Sequence, residues 1–540
     1  MTVPAQVKRS APVAATALIV TTVATALVGI VGSHLATWIF VVAAGLLIGE
    51  AALASLRWPR AALVGVVLSP ILDRYLVPGL LAPDAELLAH LLSEALVVAV
   101  GGALVAQAAR RSSLRAALDH PTVRFTLAFV LLGAISAWVN AVPAGEAVAG
   151  IGFTVDAVTL FVLARVVRFD PRQALMAVNA LVSLVLAAAV VAVAQAVLSP
   201  HLLGLSALQG RFGEVYRLAA FFGDPNVFAA FLSASIPFAL FGATGLWTAR
   251  GRRIALGGAF LLVLALWLSF SRGGWLGAFG GFALAALILD RRALRIGLVL
   301  VPVAFLVALV MPRDLLCREC GERPDLVGST IGRVATVGAG KDLRTTFVTN
   351  AVPILTDHPL LGVGPARYGG AAADLFGTPV YATYGTDRLF VNPSQRTVDN
   401  FWLHLAVESG LLGLLAYLGM IGAALRPIMR AARNAAWGRR VALAGISGAT
   451  IALSINAFTT MLLEANSVAF LFWFLLGIGS QLADLELPAH SDLPQSAHDE
   501  PEVEPEGAAV DVGEVEGHPL VEAEPAPAGG LPQPRQAWDH

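Results

Sequence analysis

Along most of this chain the apolar residues neither alternate nor recur every third or fourth place; they run on without polar interruption. Such stretches fall at 13–31, 35–55, 60–80, 86–108, 123–141, 148–168, 173–198, 218–244, 253–271, 273–290, 295–311, 399–424, 439–460 and 464–483. Each is about 20 residues, long enough to cross a hydrocarbon core of about 30 Å as a helix. A helix also satisfies its own backbone polar groups where no water can do so. The stretch at 60–80 is the weakest, because Asp73 and Arg74 interrupt it and Pro70 and Pro78 predict kinks. A re-entrant or interfacial pair is a second reading there, and the total is about 12–14 spans. The fold class that follows is all-α, a polytopic integral membrane protein. The first stretch is too long for the core of a cleavable signal peptide, so it is expected to remain as an anchor.

Composition agrees: 57% of the 540 residues are hydrophobic and 14% charged, against about 25% charged in soluble domains. A soluble enzyme is excluded. The net charge of −1 hides two bodies of opposite sign. Residues 484–540 hold 14 acids and one base, Arg535, so the remainder of the chain is strongly basic. That tail is acidic and Pro-rich, with runs such as Glu502-Val503-Glu504-Pro505-Glu506. It cannot bury a core and is expected to be disordered, either as a solvated appendage or as a tether for a cytoplasmic partner. The organisation is therefore a transmembrane region at 1–311, a large loop at 312–398, C-terminal transmembrane helices at 399–483 and the tail at 484–540.

Charge also sets the orientation. With Lys8 and Arg9 in the cytoplasm, strict alternation places 22 bases on that side, in the loops around Arg57, Arg115, Arg168, Arg252, Arg292 and Arg433. The short loops opposite hold four: Arg74, Arg211, Arg217 and Arg272. Lys and Arg concentrate in cytoplasmic loops, so both termini are expected inside and the 312–398 loop outside. The outer arginines then stand where positive charge is disfavoured. Arg217 precedes a span, and Arg272 lies in the turn Phe270-Ser271-Arg272-Gly273-Gly274-Trp275. They either snorkel to phospholipid headgroups or form a pocket for an anion such as a lipid-linked phosphate, which arginine grips bidentately.

The outer loop carries several features of its own. Residues 344–355 have Phe347, Val348, Ala351, Val352 and Leu355 at helical spacing, with Pro353 predicting a kink, so an interfacial helix is expected. His358-Pro359-Leu360-Leu361-Gly362-Val363-Gly364-Pro365 follows, with glycines that permit positive φ or close backbone approach. Tyr368, Tyr381 and Tyr384 could stack on sugar rings or anchor the loop at the interface. Cys317 and Cys320 are the only cysteines; zinc would need two more ligands, and on an oxidising face a local disulfide is the more natural state. Asp399 opens the next span, where it could cap the helix. His404 and Glu408 are four apart, which predicts a buried polar pair on one helix face. Glu50, Glu94, Asp156, Asp224 and Glu464 also fall in or near spans, without enough partners to form a proton relay.

Three stretches together resemble the O-antigen ligase and polymerase family of membrane glycosyltransferases. They are Arg217 through Ala229, with Gly223-Asp224-Pro225-Asn226; Phe270 through Gly277; and His358 through Gly364 leading to Asp399-Asn400 and Glu408-Ser409-Gly410-Leu411-Leu412-Gly413. The resemblance covers about 200–425 and implies a GT-C-like, metal-independent enzyme of the bacterial plasma membrane without a cofactor. Such an enzyme moves a glycan from an undecaprenyl-diphosphate carrier to an acceptor hydroxyl on the outer face, in surface polysaccharide biosynthesis. Its partners would be the lipid-linked donor, a lipid or glycan acceptor and membrane lipids, with no nucleic acid. Arg217 and Arg272 match the family arginines that hold the donor diphosphate. At Asp399 the chain departs from the pattern, since ligases carry a His there as the base that activates the acceptor. A carboxylate can do that work if apolar surroundings raise its proton affinity. A transporter or lipid-linked oligosaccharide flippase is the alternative, but it should show repeated halves with broken helices at midplane, and no repeat is visible. A catalytically silent relative that binds the carrier and organises other enzymes is a third reading.

Overall fold

The computed structural model describes residues 45, 47–80, 86–109, 113–198, 211–212, 215–244, 249–289, 343–385 and 397–485. The expected spans at 13–31 and 295–311, the Cys317–Cys320 pair and nearly all of the acidic tail lie outside the described residues. The helices are α1 (Pro59–Leu80), α2 (Glu86–Ala108), α3 (Ser113–Leu118), α4 (Pro121–Val139), α5 (Ala144–Val155), α6 (Val158–Val167), α7 (Pro171–Val197) and α8 (Pro225–Thr244). There follow α9 (Ala249–Leu268), α10 (Arg272–Leu289), α11 (Leu343–Asp357), α12 (Ala371–Phe376), α13 (Val380–Thr383), α14 (Phe401–Asn434), α15 (Trp437–Asn456) and α16 (Asn466–Asp484). A two-residue antiparallel ribbon pairs Arg211–Phe212 with Val215–Tyr216. The protein is an all-α polytopic membrane protein. Among the described residues seven helices are long and apolar enough to span a bilayer, or eight if the bent pair α5–α6 is one span.

Local chemistry explains where these helices begin. Pro121, Pro171 and Pro225 stand at first helical positions, where a missing N–H is no loss. Asp170 caps α7 through the N–H of Gln173 at 2.9 Å, and the Gln173 side chain returns the bond to Asp170. Side chains that a soluble protein would hide face outward here. On α4, Leu127, Leu131, Ile135 and Trp138 form an exposed apolar stripe, with Trp138 83% exposed. Hydrocarbon is the solvent in which such a face is stable.

The centre is made by close backbone approach. Where α10 crosses α15, a Cβ on Gly273 would overlap Asn456 and Thr459, one on Gly277 would overlap the Ala452 carbonyl, and one on Gly281 the Gly448 carbonyl. Small residues one turn apart let two helices pack by dispersion where lipid offers no hydrophobic drive. Around this pair stand α8 and α16, the most enclosed of the spans.

Three expectations need correction. The stretch at 148–168 is two helices, α5 and α6, bent by 52° at Asp156–Ala157. The stretch at 218–244 is helical only from Pro225, because Gly223 (φ 70°) and Ala220 (φ 48°) turn the chain before it. The helices expected at 60–80 and 344–355 are present as α1, which contains Pro70 and Pro78, and α11, which contains Pro353. The span expected at 399–424 runs on to Asn434 and is interrupted at Gly410, whose φ of 64° and ψ of −171° are not helical.

Candidate active site

Arg217 lies eight residues ahead of α8, further from the span than its sequence position implied. It is 9% exposed. Its Nε donates to the Ser269 carbonyl at 3.1 Å and its Nη2 to Asn226 Oδ1 at 2.7 Å. Ser271 Oγ donates to the same Asn226 oxygen at 3.1 Å. The turn before α8 and the turn before α10 are therefore stitched together by one guanidinium. Asp224 is occupied as the cap of α8, accepting from the N–H groups of Asn226 and Val227 at 2.7 and 2.9 Å. Arg272 is the first residue of α10 and is partly exposed. Two cationic side chains and the N-terminus of α10, with its positive dipole end, thus gather in adjoining turns.

Asp399 reaches the same end of the bundle through α15. Phe401 N–H donates to the Ala457 carbonyl at 2.9 Å, while the neighbouring Asn456 packs on Gly273, next to Arg272. Asp399 does not cap α14. That role belongs to Asn400, whose side chain accepts from the Leu403 N–H at 3.0 Å. Asp399 is left partly exposed at the helix mouth.

The His358–Gly364 and Glu408–Gly413 stretches form one clasp. At the break in α14, Val363 and Gly364 donate to the carbonyls of Val407 and Glu408, both at 3.0 Å. In return Leu411 and Leu412 donate to the carbonyls of Pro359 and Leu360 at 2.9 and 3.2 Å. The loop thus supplies the partners that an interrupted helix lacks. A Cβ at Gly362 or Gly410 would overlap the opposing backbone, and both have positive φ. From α4, Ser136 Oγ and Asn140 Nδ2 donate to the carbonyls of Leu361 and Gly362 at 2.6 and 3.1 Å.

His404 and Glu408 form the buried pair expected, with Nε2 and Oε2 3.9 Å apart. Arg367 pairs with Glu146 of α5 at 3.2 Å, in an approach that lacks hydrogen-bond geometry. Two of the loop tyrosines hydrogen-bond within the loop: Tyr381 Oη accepts from the Gly369 N–H at 2.7 Å, and Tyr384 Oη donates to Asp357 at 2.9 Å. Burial pushes the Tyr368 and Tyr381 phenols well above their ordinary range, so both remain protonated. Among the described residues no three His, Cys, Asp or Glu side chains are arranged to hold a metal ion.

The comparison with known families bears on the segment that holds most of these residues. Residues 257–418 match the family model described as O-antigen ligase. The chain carries an O-antigen ligase domain. Within the chain that domain holds Arg272, the clasp, Asp399 and the first half of α14. Arg217 lies ahead of it, and α15 and α16 follow it. No curated protein matches the chain. A ligase domain on an apolar, multi-helix scaffold makes this a multi-pass membrane protein with a glycosyltransferase-like role in surface polysaccharide synthesis.

The sequence did not reveal the partners of Arg217. Asn226 was visible in the Gly223-Asp224-Pro225-Asn226 stretch, but its bond to an arginine nine residues upstream depends on the turn at Ala220 and Gly223. Nor did it reveal the Arg367–Glu146 pair, whose members are separated by most of the central bundle in sequence.

Proposed function

We propose that this ligase domain transfers a glycan from an undecaprenyl-diphosphate carrier to an acceptor hydroxyl at the outer face of the bacterial plasma membrane. The observation that carries the reading is the meeting of the Arg217 and Arg272 turns with the mouth of α14 at one end of the bundle, through Asn456 and Ala457 of the α15 terminus. Departure of a diphosphate develops negative charge on its oxygens. Fixed guanidinium groups and a helix N-terminus stabilise that charge without reorganising as it forms. Arg217 is already held by Ser269 and Asn226, so it meets the donor with little left to order. Asp399 takes the acceptor proton as general base, from a helix mouth whose capping is left to Asn400.

The outer face follows from the charge rule. The opposite ends of the helices carry the arginines, bound to helix termini there: Arg60 Nε to the Arg168 carbonyl, Arg439 to Leu482 and Ala483, and Arg440 to Ile288 and Leu289. Ligase and polymerase share this donor end and differ in what enters the acceptor side.

The test is glycan profiling by gel and mass spectrometry in a deletion strain complemented with wild type, Arg272→Ala or Asp399→Asn. Arg272→Ala is expected to insert normally, to abolish transfer and to accumulate carrier-linked glycan. Asp399→Asn is expected to reduce transfer by about 100-fold or more, the scale of general-base catalysis. Unchanged transfer in Arg272→Ala would remove the site, and carrier-linked glycan retained only on the cytoplasmic leaflet would favour a flippase.

A further inference from the structure

Glu408 and His404 take no part in the arginine turns, yet both are almost wholly enclosed, at 5% and 2% exposure. A carboxylate is stable there only if its oxygens are satisfied. Glu408 Oε2 accepts from the Ala366 N–H at 3.1 Å, and Oε1 accepts from Arg367 and Tyr368 N–H at 2.6 and 2.7 Å. Three successive backbone donors close on one side chain. His404 Nδ1 lies 2.5 Å from the Tyr368 carbonyl. A carbonyl only accepts, so Nδ1 carries the proton and donates. Gly370 follows so closely that a Cβ there would overlap the His404 ring and approach Glu464 Oε1 to 2.9 Å. Glu464 Oε2 in turn accepts from the Ala371 N–H at 3.2 Å.

The strap held in this way, residues 366–369, leads directly to Asp399. The Gly369 carbonyl accepts from the N–H of Val398 at 3.0 Å, and Val398 is fully buried. The residue before the proposed base is therefore hydrogen-bonded to the strap, and the residue after it caps α14. A helix face about one turn long grips a loop, and that loop fixes the residue at the helix's own mouth.

We propose that Glu408 and His404 are positioning residues for the acceptor end of the reaction: they fix the 366–369 strap, and the strap sets where the Asp399 carboxylate stands. The proposal rests on the reading of Asp399 as the base. It predicts a loss in the chemical step with donor binding untouched, because Arg217 and Arg272 are held by other turns.

The experiment uses full-length Glu408→Gln and Glu408→Ala, with Asp399→Asn alongside. Each is expressed at equal level in membranes of a deletion strain, to which carrier-linked glycan extracted from the same strain is added in rising amounts. Glu408→Gln keeps the side-chain volume and an oxygen for Arg367 and Tyr368 but turns an NH₂ group toward the Ala366 N–H. It is expected to lower kcat about tenfold and to leave the apparent KM for the added donor within about twofold, and Glu408→Ala to lower kcat about 100-fold, the scale of a small misplacement of a reacting group. Hydrogen exchange on the purified full-length variants should speed up at 366–368 and 398–400 and stay unchanged at 269–275. Unchanged kcat, a rise in KM that accounts for the loss, or exchange that speeds up equally at 269–275 would overturn the proposal. So would failure of both variants to accumulate, which would assign Glu408 to folding alone. If Asp399→Asn transfers at the wild-type rate, the base reading fails by itself; if it is inactive and Glu408→Gln is unimpaired, only the positioning proposal fails.

Discussion

His120 shows how one side chain at a helix end couples fold to pH. It caps α4, its Nδ1 accepting from the Thr122 N–H at 3.2 Å, and its Nε2 lies 3.4 Å from Ser480 Oγ. Protonating Nδ1 would break the cap. Burial and then the charge of Arg165 lower its pKa from 6.5 to about 4, with Asp484 opposing. The folded protein thus holds His120 neutral while the unfolded chain titrates near 6.5. Its contribution to stability is complete above pH 6.5, is lost as pH falls toward 4, and changes no further below that. Asparagine is an equally good cap with no proton to gain. The thermal midpoint of His120→Asn in detergent should therefore fall less steeply between pH 6.5 and 4 than that of wild type; parallel curves would mean that His120 does not titrate in this window. At the same scale, Arg217 and Arg272 were legible in the sequence because positive charge on the sparsely charged side needs a reason. The cap of α14 was not, since Asp399 and Asn400 are both good caps and only the backbone turn at 398–400 selects between them.

Helices are where the sequence spoke most clearly and also where it fell silent. About 20 apolar residues are needed to cross a bilayer, so α4, α7, α9, α10 and α16 stand within a few residues of their expected bounds. The breaks at Asp156 and Gly410 were invisible, because the apolar run continues through both and the partners that repair the second lie some fifty residues upstream. The α10–α15 crossing depends on glycines that no hydropathy scale weighs. Gly277→Leu would drive a branched side chain into the Ala452 carbonyl. Overpacking of this kind costs about 1–3 kcal/mol, and the helix has no lipid-side route of relief. The expected outcome is a lower thermal midpoint and reduced accumulation, read by fluorescence-detected gel filtration. Gly257→Leu on α9, where a Cβ would meet nothing within 4 Å, is the control and should accumulate normally.

The molecule as a whole has one end rich in arginine and another that holds the candidate site, and topology decides whether the site can meet a carrier lipid after its glycan has been exported. In a Cys317→Ser, Cys320→Ser background, Leu375→Cys on α12 should be labelled by a membrane-impermeant maleimide in intact spheroplasts. Arg172→Cys at the start of α7 should react only after permeabilisation. Both native positions are exposed on the protein itself, so the reverse pattern would turn the bundle over and remove the outward-facing reading.

The clasp between 359–364 and 407–412 bears on how such proteins can be recombined. A loop between two spans is ordinarily a separable part, free to be exchanged with that of a relative to change specificity. Here the loop completes the hydrogen bonding of α14, and its glycines are cut to fit the backbone of that helix. A chimera that takes its loop from one parent and its helix from another would leave bare carbonyls and N–H groups at the break in α14. The smallest exchangeable cassette is therefore discontinuous: 358–371 and 397–413 must travel together, with Ser136 and Asn140 of α4 kept to receive them.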